Sequence, residues 1–271
     1  MDQSVDDFPI PHRSTRRELR IENFFKERAN EASAIQARPC KPVFLCFTQR
    51  TGSNLSAELL ASTGKVPIAK GFFNWRYVLG LAEAENLKSL EAVCARLIEQ
   101  ESKNGVFASK MTWGQLYLLQ KSQILPRIFP NAQFVYLRRR DVLDQAISYV
   151  IARQSGIWHS KKDFEAAKTT YEAPEIKARM RLIKESNDYL EKFFAHFGIE
   201  PFEVVFEDFV QDKAGTVSAV TEWLGLGPSS IKEEETGYRP QRSPEYAEWR
   251  ARFLAERAAT VSARKARRSG R

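Results

Sequence analysis

The sequence contains few cysteines and no long apolar run. Three cysteines, Cys40, Cys46 and Cys94, occur among 271 residues, without a Cys-x-x-Cys pair or a cluster with the three histidines. A disulfide scaffold is therefore excluded, and we expect no structural zinc site. The longest purely apolar run, Val43–Phe47, is much shorter than the roughly 20 residues of a membrane-spanning helix. Because the first residues also lack the basic and apolar segments of a secretory signal, we expect a cytoplasmic protein.

The positive charge is concentrated at the C-terminal end. The formal net charge is +8, and the hydrophobic and charged fractions, 43% and 28%, are typical of a globular protein. Trp249–Arg271 contains eight basic residues and one acidic residue, so the other residues sum to only +1. We therefore expect no nucleic-acid binding through the core. Residues 258–271 form a basic tail, interpreted as a solvated, frayed end, with weak contact to an anionic surface as the alternative.

Segments of strand and helix type alternate along the chain. Their spacing predicts strands at 41–47, 105–111, 133–138 and 202–208. It predicts helices at 54–63, 88–103, after Asp141, at 175–197 and at 216–226. This order favours an α/β fold with a central parallel sheet flanked by helices. We expect one domain at 39–257, preceded by a polar extension, 1–38, that contains a peripheral helix.

The loop between the first strand and the first core helix has the composition of an anion site. It consists of Gln49, Arg50, Thr51, Gly52, Ser53 and Asn54. Backbone N–H groups of a first helical turn and the helix dipole favour a phosphate there, and Arg50 adds a permanent charge. The sequence has no GxxxxGK[ST] string, which disfavours ATP or GTP hydrolysis. The alternative is an ordinary strand–helix turn with polar caps.

A second candidate anion site follows the third strand. Arg139 lies just beyond that strand, and Ser148 comes nine residues later, two turns into the next helix. A loop arginine and a helix hydroxyl can together bind a phosphate. Two anion sites at the carboxyl ends of parallel strands predict a ligand with phosphate at both ends.

Five colinear segments resemble the PAPS-dependent sulfotransferases (PAPS is 3′-phosphoadenosine 5′-phosphosulfate). More narrowly, they resemble the bacterial trehalose 2-sulfotransferase family, including its QRSGST-like loop and its GGK-x-x-W-N-Q segment. The segments are Gln49–Asn54, Ala108–Gln115, Leu125–Arg139, Phe206–Leu226 and the ending Gln241-Arg242-Ser243 with Trp249. The resemblance implies a P-loop-like three-layer fold, a homodimer, and metal-free transfer from PAPS to a hydroxyl of a small-molecule or glycan acceptor.

The resemblance also implies roles for individual residues. The loop 49–54 is expected to bind the 5′-phosphosulfate, and Arg139 with Ser148 the 3′-phosphate. Arg50 and Lys110 are the expected catalytic cations. Gln241 and Arg242 are expected to bind the donor as well. The expected acceptor-binding residues are Gln49, Phe73 and Trp113, although the aromatic residues near Phe73 are explained equally well by a half-buried apolar hairpin.

One expected group is missing. In the resembled family a glutamate after the first helix acts as the base, and the matching position here is Gly71. No acid occurs from Leu59 to Ala82, and a general base contributes about 10²–10⁴-fold. Three explanations are open: His159 serves as the base, the acceptor differs, or the chain is a catalytically degenerate protein that binds PAPS or its desulfated product.

Overall fold

The structure is a computed structural model that describes Phe8 and residues 16–28, 37–158, 169–232 and 244–269. The chain divides into two compact units. The first comprises Met1–Arg138 and Ser186–Thr236, and the second comprises Arg139–Glu185 and Gly237–Arg271. The domain limits expected at residues 39 and 257 stay a prediction.

Four strands and eleven helices lie within the described residues. The strands are β1 (Lys41–Phe47), β2 (Val106–Met111), β3 (Gln133–Arg138) and β4 (Phe202–Val205). The helices are α1 (Glu18–Lys26), α2 (Ser53–Ser62), α3 (Trp75–Ala84), α4 (Leu90–Glu101), α5 (Trp113–Lys121), α6 (Ile124–Ile128), α7 (Val142–Ser155), α8 (Ala173–His196), α9 (Phe206–Phe209), α10 (Lys213–Trp223) and α11 (Pro244–Ser269). Among the described residues, no helix is both long enough and apolar enough to cross a bilayer.

The strands form one parallel sheet in the order β2-β1-β3-β4, which confirms the predicted fold class. Leu45 in the middle of β1 pairs with Lys110 on one side and Val135 on the other. Residues 43–46 of β1 are fully buried, as expected for a central strand covered on both faces. Because all four strands are parallel, the loops that follow them leave from the same edge of the sheet.

One face of the sheet carries an aromatic core in the first unit. Phe44 packs edge-on against Phe73 and Phe129, and Phe107 stacks on Phe129. Phe73 is only 2% exposed, so the structure places it inside this core and not at a surface where a sugar binds. The extension expected at 1–38 contains α1, which packs against α3 and α5 with Ile21 buried.

The second unit has its own apolar core. Leu143, Ile147 and Val150 on α7 pack in one cluster with Ile176 and Ile183 of α8 and with Trp249 and Phe253 of α11. These residues recur at helical spacing, so each helix presents one apolar stripe to the cluster.

Several elements differ from those predicted. The fourth strand ends at Val205, and residues 206–209 form the short helix α9 with Phe209 buried. Helices α3, α5, α6 and α11 were not predicted. The C-terminal end that was expected to fray is helical through Ser269. Asp141 caps α7 as predicted, since its side chain accepts a hydrogen bond from the Asp144 N–H.

Candidate active site

The loop between β1 and α2 has two residues in the left-handed region. Arg50 has φ 72° and Gly52, at the N-terminus of α2, has φ 77°. No described side chain caps α2, so the N–H groups of its first turn face the loop. A non-glycine residue such as Arg50 rarely adopts this conformation, which is found disproportionately at functional sites.

Gly52 is also required by its surroundings. A Cβ built on Gly52 would come within 2.5 and 2.6 Å of two ring carbons of Phe206. Phe206 is the first residue of α9, directly after β4. The ring therefore packs against the backbone of the loop at Gly52, and no side chain fits at position 52.

Hydroxyl groups of the loop hold its shape. The Thr51 hydroxyl donates to the carbonyl of Thr48 at 2.9 Å, and both residues are buried. The Ser56 N–H donates to the carbonyl of Gly52 at 3.0 Å, which begins the hydrogen-bond ladder of α2. Ser53 is also buried, at 7% exposure. Gln49 and Arg50 are partly exposed.

Lys110 reaches this loop from the end of β2. Its ammonium contacts the side-chain oxygen of Asn54 in the first turn of α2. Burial lowers the pKa of Lys110, and the nearby Glu58 carboxylate opposes that shift. The structure thus joins two residues, 56 positions apart, that were both predicted for the site.

The segment around Gly71 lies along the outer edge of β2. The Lys110 N–H donates to the carbonyl of Lys70 at 2.8 Å, and the Ser109 hydroxyl donates to the same carbonyl at 3.1 Å. Gly71 is exposed, and a Cβ built on it would meet nothing within 4 Å. The glycine therefore occupies open space beside the end of β2.

Trp113 begins α5 just after β2. Its ring lies 4.6 Å, centroid to centroid, from the ring of Tyr189 on α8, and the residue is half-buried. The Thr112 N–H donates to the side chain of Gln115 at 2.9 Å, which fixes the start of α5. Tyr189 is half-buried as well, so part of the aromatic surface of this pair remains accessible.

Sequence reasoning missed a buried carboxylate in this unit. Glu18, the first residue of α1, is 7% exposed, and its carboxylate lies against Gly114 in the first turn of α5. Burial raises the pKa of Glu18. The pairing depends on how α1 packs against α5, which no local sequence signal reports.

In the second unit, Arg139 belongs to a network of charged and polar groups. It forms an ion pair with Asp144 at 3.4 Å and donates to the Tyr246 hydroxyl at 3.3 Å. Arg250 bridges Asp141 at 2.8 Å and also contacts Asp144. The Arg139 side chain is 14% exposed, so the network fixes a largely buried guanidinium.

Tyr246 and Arg250 lie on α11 and were not predicted, since they are more than 100 residues from Arg139 in the chain. Burial raises the pKa of Tyr246 above its ordinary value. Ser148 lies one helical turn after Asp144 on α7, so both belong to one face of that helix. His159, Gln241 and Arg242 lie outside the described residues, as does Ser243. No group of three or more potential metal ligands occurs within the described part of the chain.

Comparison with known proteins identifies the family. The family model described as Stf0 sulphotransferase matches residues 43–256, which is most of the chain. The chain belongs to the Stf0 sulphotransferase family. The match begins in β1 and ends in α11, so it includes the loop 49–54, Lys110 and the Arg139 network. Membership of this family identifies the chain as a sulfotransferase.

Two curated relatives are similar along nearly their whole length. The trehalose 2-sulfotransferase of Mycobacterium tuberculosis is 24% identical over 264 residues, covering 81% of this chain and 97% of the relative. That of Mycolicibacterium smegmatis is 24% identical over 246 residues, covering 74% and 91%. Among solved structures, the sulfotransferase from Alicyclobacillus acidocaldarius matches 84% of this chain and 96% of its own, with 17% identity and a TM-score of 0.49.

Proposed function

We propose that this sulfotransferase moves a sulfuryl group from PAPS to a hydroxyl of a carbohydrate or glycolipid acceptor. The observation that carries the proposal is the contact between the Lys110 ammonium and Asn54. It holds a cation beside the first-turn N–H groups of α2, a helix that no described side chain caps. Cations and N–H donors at one point suit a phosphosulfate.

The proposed chemistry uses this charge directly. Sulfuryl transfer develops negative charge on the oxygen that bridges sulfur and the 5′-phosphate, and on the sulfuryl oxygens. Arg50 neutralises the 5′-phosphate, and Lys110 binds the sulfuryl oxygens. Fixed donors aimed at developing charge are worth about 10²–10³-fold each. The proposed mechanism therefore contains no metal-dependent step.

The Arg139 network is the proposed binding site of the 3′-phosphate. Asp144 and Tyr246 orient the guanidinium of Arg139, and a guanidinium binds phosphate through two parallel hydrogen bonds. Ser148 supplies a hydroxyl donor on the same helix. Gln241 and Arg242 are proposed to complete the donor site.

The acceptor class follows from the relatives and from the aromatic surface. The curated relatives are named for trehalose, and Trp113 paired with Tyr189 offers a half-buried aromatic face. The test is to incubate the protein with PAPS and trehalose in EDTA and to search for a sulfated sugar by mass spectrometry. A Lys110→Met variant is the control. No sulfated product with trehalose or with a panel of related sugars would contradict the proposed transfer.

A second candidate function is a catalytically degenerate protein that binds PAPS or 3′,5′-adenosine bisphosphate. Gly71 favours it, because the position of the expected base carries no side chain. Tight binding of the bisphosphate without transfer to any hydroxyl would support this alternative. The homodimer, the cytoplasmic location and the contact of the tail with anionic surfaces remain proposals.

A further inference from the structure

Glu18 lies against the first turn of α5, and α1 also packs against α3. Beside Glu18 on α1, the guanidinium of Arg20 lies 4.4 Å over the ring of Trp75, the first residue of α3. One turn further along α1, Glu22 accepts a hydrogen bond at 3.0 Å from Lys121 at the C-terminal end of α5. Helix α1 therefore runs in the same direction as α5, with Glu18 at the end where α3 and α5 begin.

The contact between Glu18 and α5 is close. A Cβ on Gly114 would come within 3.1 Å of the carboxyl carbon and of Oε1 of Glu18. The resembled family carries asparagine at this position, in its W-N-Q segment. Glycine here leaves the room that the Glu18 carboxylate, a polar group from a different helix, occupies.

The Glu18 carboxylate is buried with one oxygen unused. Oε2 accepts no hydrogen bond from the described residues, and the side chain is more than nine-tenths buried. A buried carboxylate oxygen without a donor is unfavourable, so such groups call for a functional explanation. Burial also raises the pKa of Glu18 above its ordinary value, although the residue's own backbone N–H and Arg17 oppose the shift. A base works best when its pKa is close to the working pH.

The contact with Gly114 places Glu18 near the end of β2 that carries Lys110. Gly114 lies three residues after Met111, the last residue of β2, and four after Lys110. The segment of Gly71, where the base was expected, lies along the same strand end. Trp113 and Trp75, the first residues of the two helices against which α1 packs, are both half-buried.

We propose that Glu18 is the base of the sulfuryl transfer and takes the role for which Gly71 has no side chain. This inference rests on the proposed function. The acceptor O–H bond breaks, and its proton passes to the carboxylate of Glu18. The acceptor oxygen forms the new O–S bond, and the S–O bond to the 5′-phosphate breaks. The bonding electrons leave on 3′,5′-adenosine bisphosphate, so charge and atoms balance.

The first test compares Glu18→Gln with Glu22→Gln. The amide keeps the shape of the side chain and removes its basicity, and Glu22 is a carboxylate on the same helix whose partner is Lys121. We expect Glu18→Gln to lower turnover of PAPS with trehalose, used as the probe acceptor, by about 10²–10⁴-fold. Binding of 3′,5′-adenosine bisphosphate, measured by calorimetry, stays within about twofold in both variants, and Glu22→Gln keeps its turnover.

The second test restores the missing group. The double variant Glu18→Gln/Gly71→Glu places a carboxylate where the resembled family has its base. Position 71 has an ordinary backbone conformation and open space around it, so the side chain fits. We expect the double variant to regain at least tenfold in turnover over Glu18→Gln alone. No gain would contradict the exchange of roles between the two positions.

A third variant tests the role without changing Glu18. Gly114→Ala moves the carboxylate by a few tenths of an ångström, because its Cβ would lie 3.1 Å from it, and we expect turnover to fall below that of the control. Gly80→Ala is the control, since a Cβ there meets nothing within 4 Å. Full turnover in Gly114→Ala overturns the proposal, even if Glu18→Gln fails to fold.

The outcomes separate the two proposals. Full turnover in Glu18→Gln overturns the role of Glu18 and leaves the proposed function intact. A wild-type protein that binds 3′,5′-adenosine bisphosphate but transfers sulfate to no acceptor overturns the role of Glu18 and favours the degenerate binding protein. If the wild-type protein does not bind the bisphosphate, the proposed function is overturned, and the proposed role of Glu18 is overturned with it.

Discussion

The ring of Phe206 occupies the space in which a side chain at Gly52 would lie. Two ring carbons stand 2.5 and 2.6 Å from the position of a Cβ there. Phe206 follows β4 and Gly52 follows β1, so the ends of two strands meet at the loop that we assign to the phosphosulfate. The shape of this loop therefore depends on packing against Phe206 as well as on its own residues.

Gly52→Ala is expected to destabilise the protein more than Gly64→Ala. Both glycines have a positive φ, 77° and 73°, and a non-glycine residue in that region costs about 1–3 kcal/mol. Position 64 has open space around it, whereas position 52 also meets the Phe206 ring. Chemical denaturation of both variants measures the difference in free energy of unfolding. Equal losses would show that the ring does not constrain the loop.

Lys110→Met should reduce sulfuryl transfer by about 10²–10³-fold, the typical value for loss of one donor to a developing charge. Lys110→Arg should keep part of the activity, because the charge remains. Turnover at saturating PAPS gives both values. If Lys110→Met retained wild-type turnover, the contact with Asn54 would be only structural.

The pH dependence follows from the lowered pKa of Lys110. Only the protonated ammonium stabilises the sulfuryl oxygens, so activity should fall as pH rises through a pKa below the ordinary value of 10.5. Because arginine stays charged in this range, the alkaline limb should move to higher pH in Lys110→Arg. An unchanged alkaline limb in that variant would assign it to another group.

The strands were predictable because each is a short apolar run bounded by turn or breaker residues. β1 is one example: it begins between Pro39 and Pro42 and ends at the polar loop. Helices α3 and α5 had signals that were overlooked. Asn74 caps α3 by accepting from the Arg76 N–H, and Thr112 with Gln115 begins α5. These are local cap patterns that sequence reasoning can use.

The site was predictable only in part. The loop 49–54, Lys110 and Arg139 came from local motifs next to strand ends. Glu18 and Tyr246 did not, because their contacts join segments about 100 residues apart that only tertiary packing brings together. Phe73 shows the opposite case, since an aromatic residue beside a candidate site lies in the core.

Tyr246→Phe should weaken binding of 3′,5′-adenosine bisphosphate. The hydroxyl accepts a hydrogen bond from Arg139, and loss of one such bond costs about 1 kcal/mol, or about fivefold in affinity. Tyr171→Phe is the matched control, because its hydroxyl bonds Glu256 on the exposed side of the same unit. Equal affinities in both variants would exclude Tyr246 as a positioning residue for Arg139.

Deletion of residues 258–271 should leave the fold and donor binding intact. Trp249 and Phe253, which anchor α11 in its core, remain in the shortened chain. Any binding to vesicles containing phosphatidylserine should disappear, since the deleted segment carries most of the excess positive charge. Vesicle sedimentation at low salt measures this, and binding that survives the deletion would place the contact elsewhere.

Calorimetric titration with 3′,5′-adenosine bisphosphate in EDTA, with ATP as the comparison, tests the central claim most directly. We predict tight binding without metal that weakens strongly in Arg139→Ala, and much weaker binding of ATP. Absence of binding, or equal binding of ATP that requires Mg²⁺, would contradict the assignment of the two anion sites to PAPS.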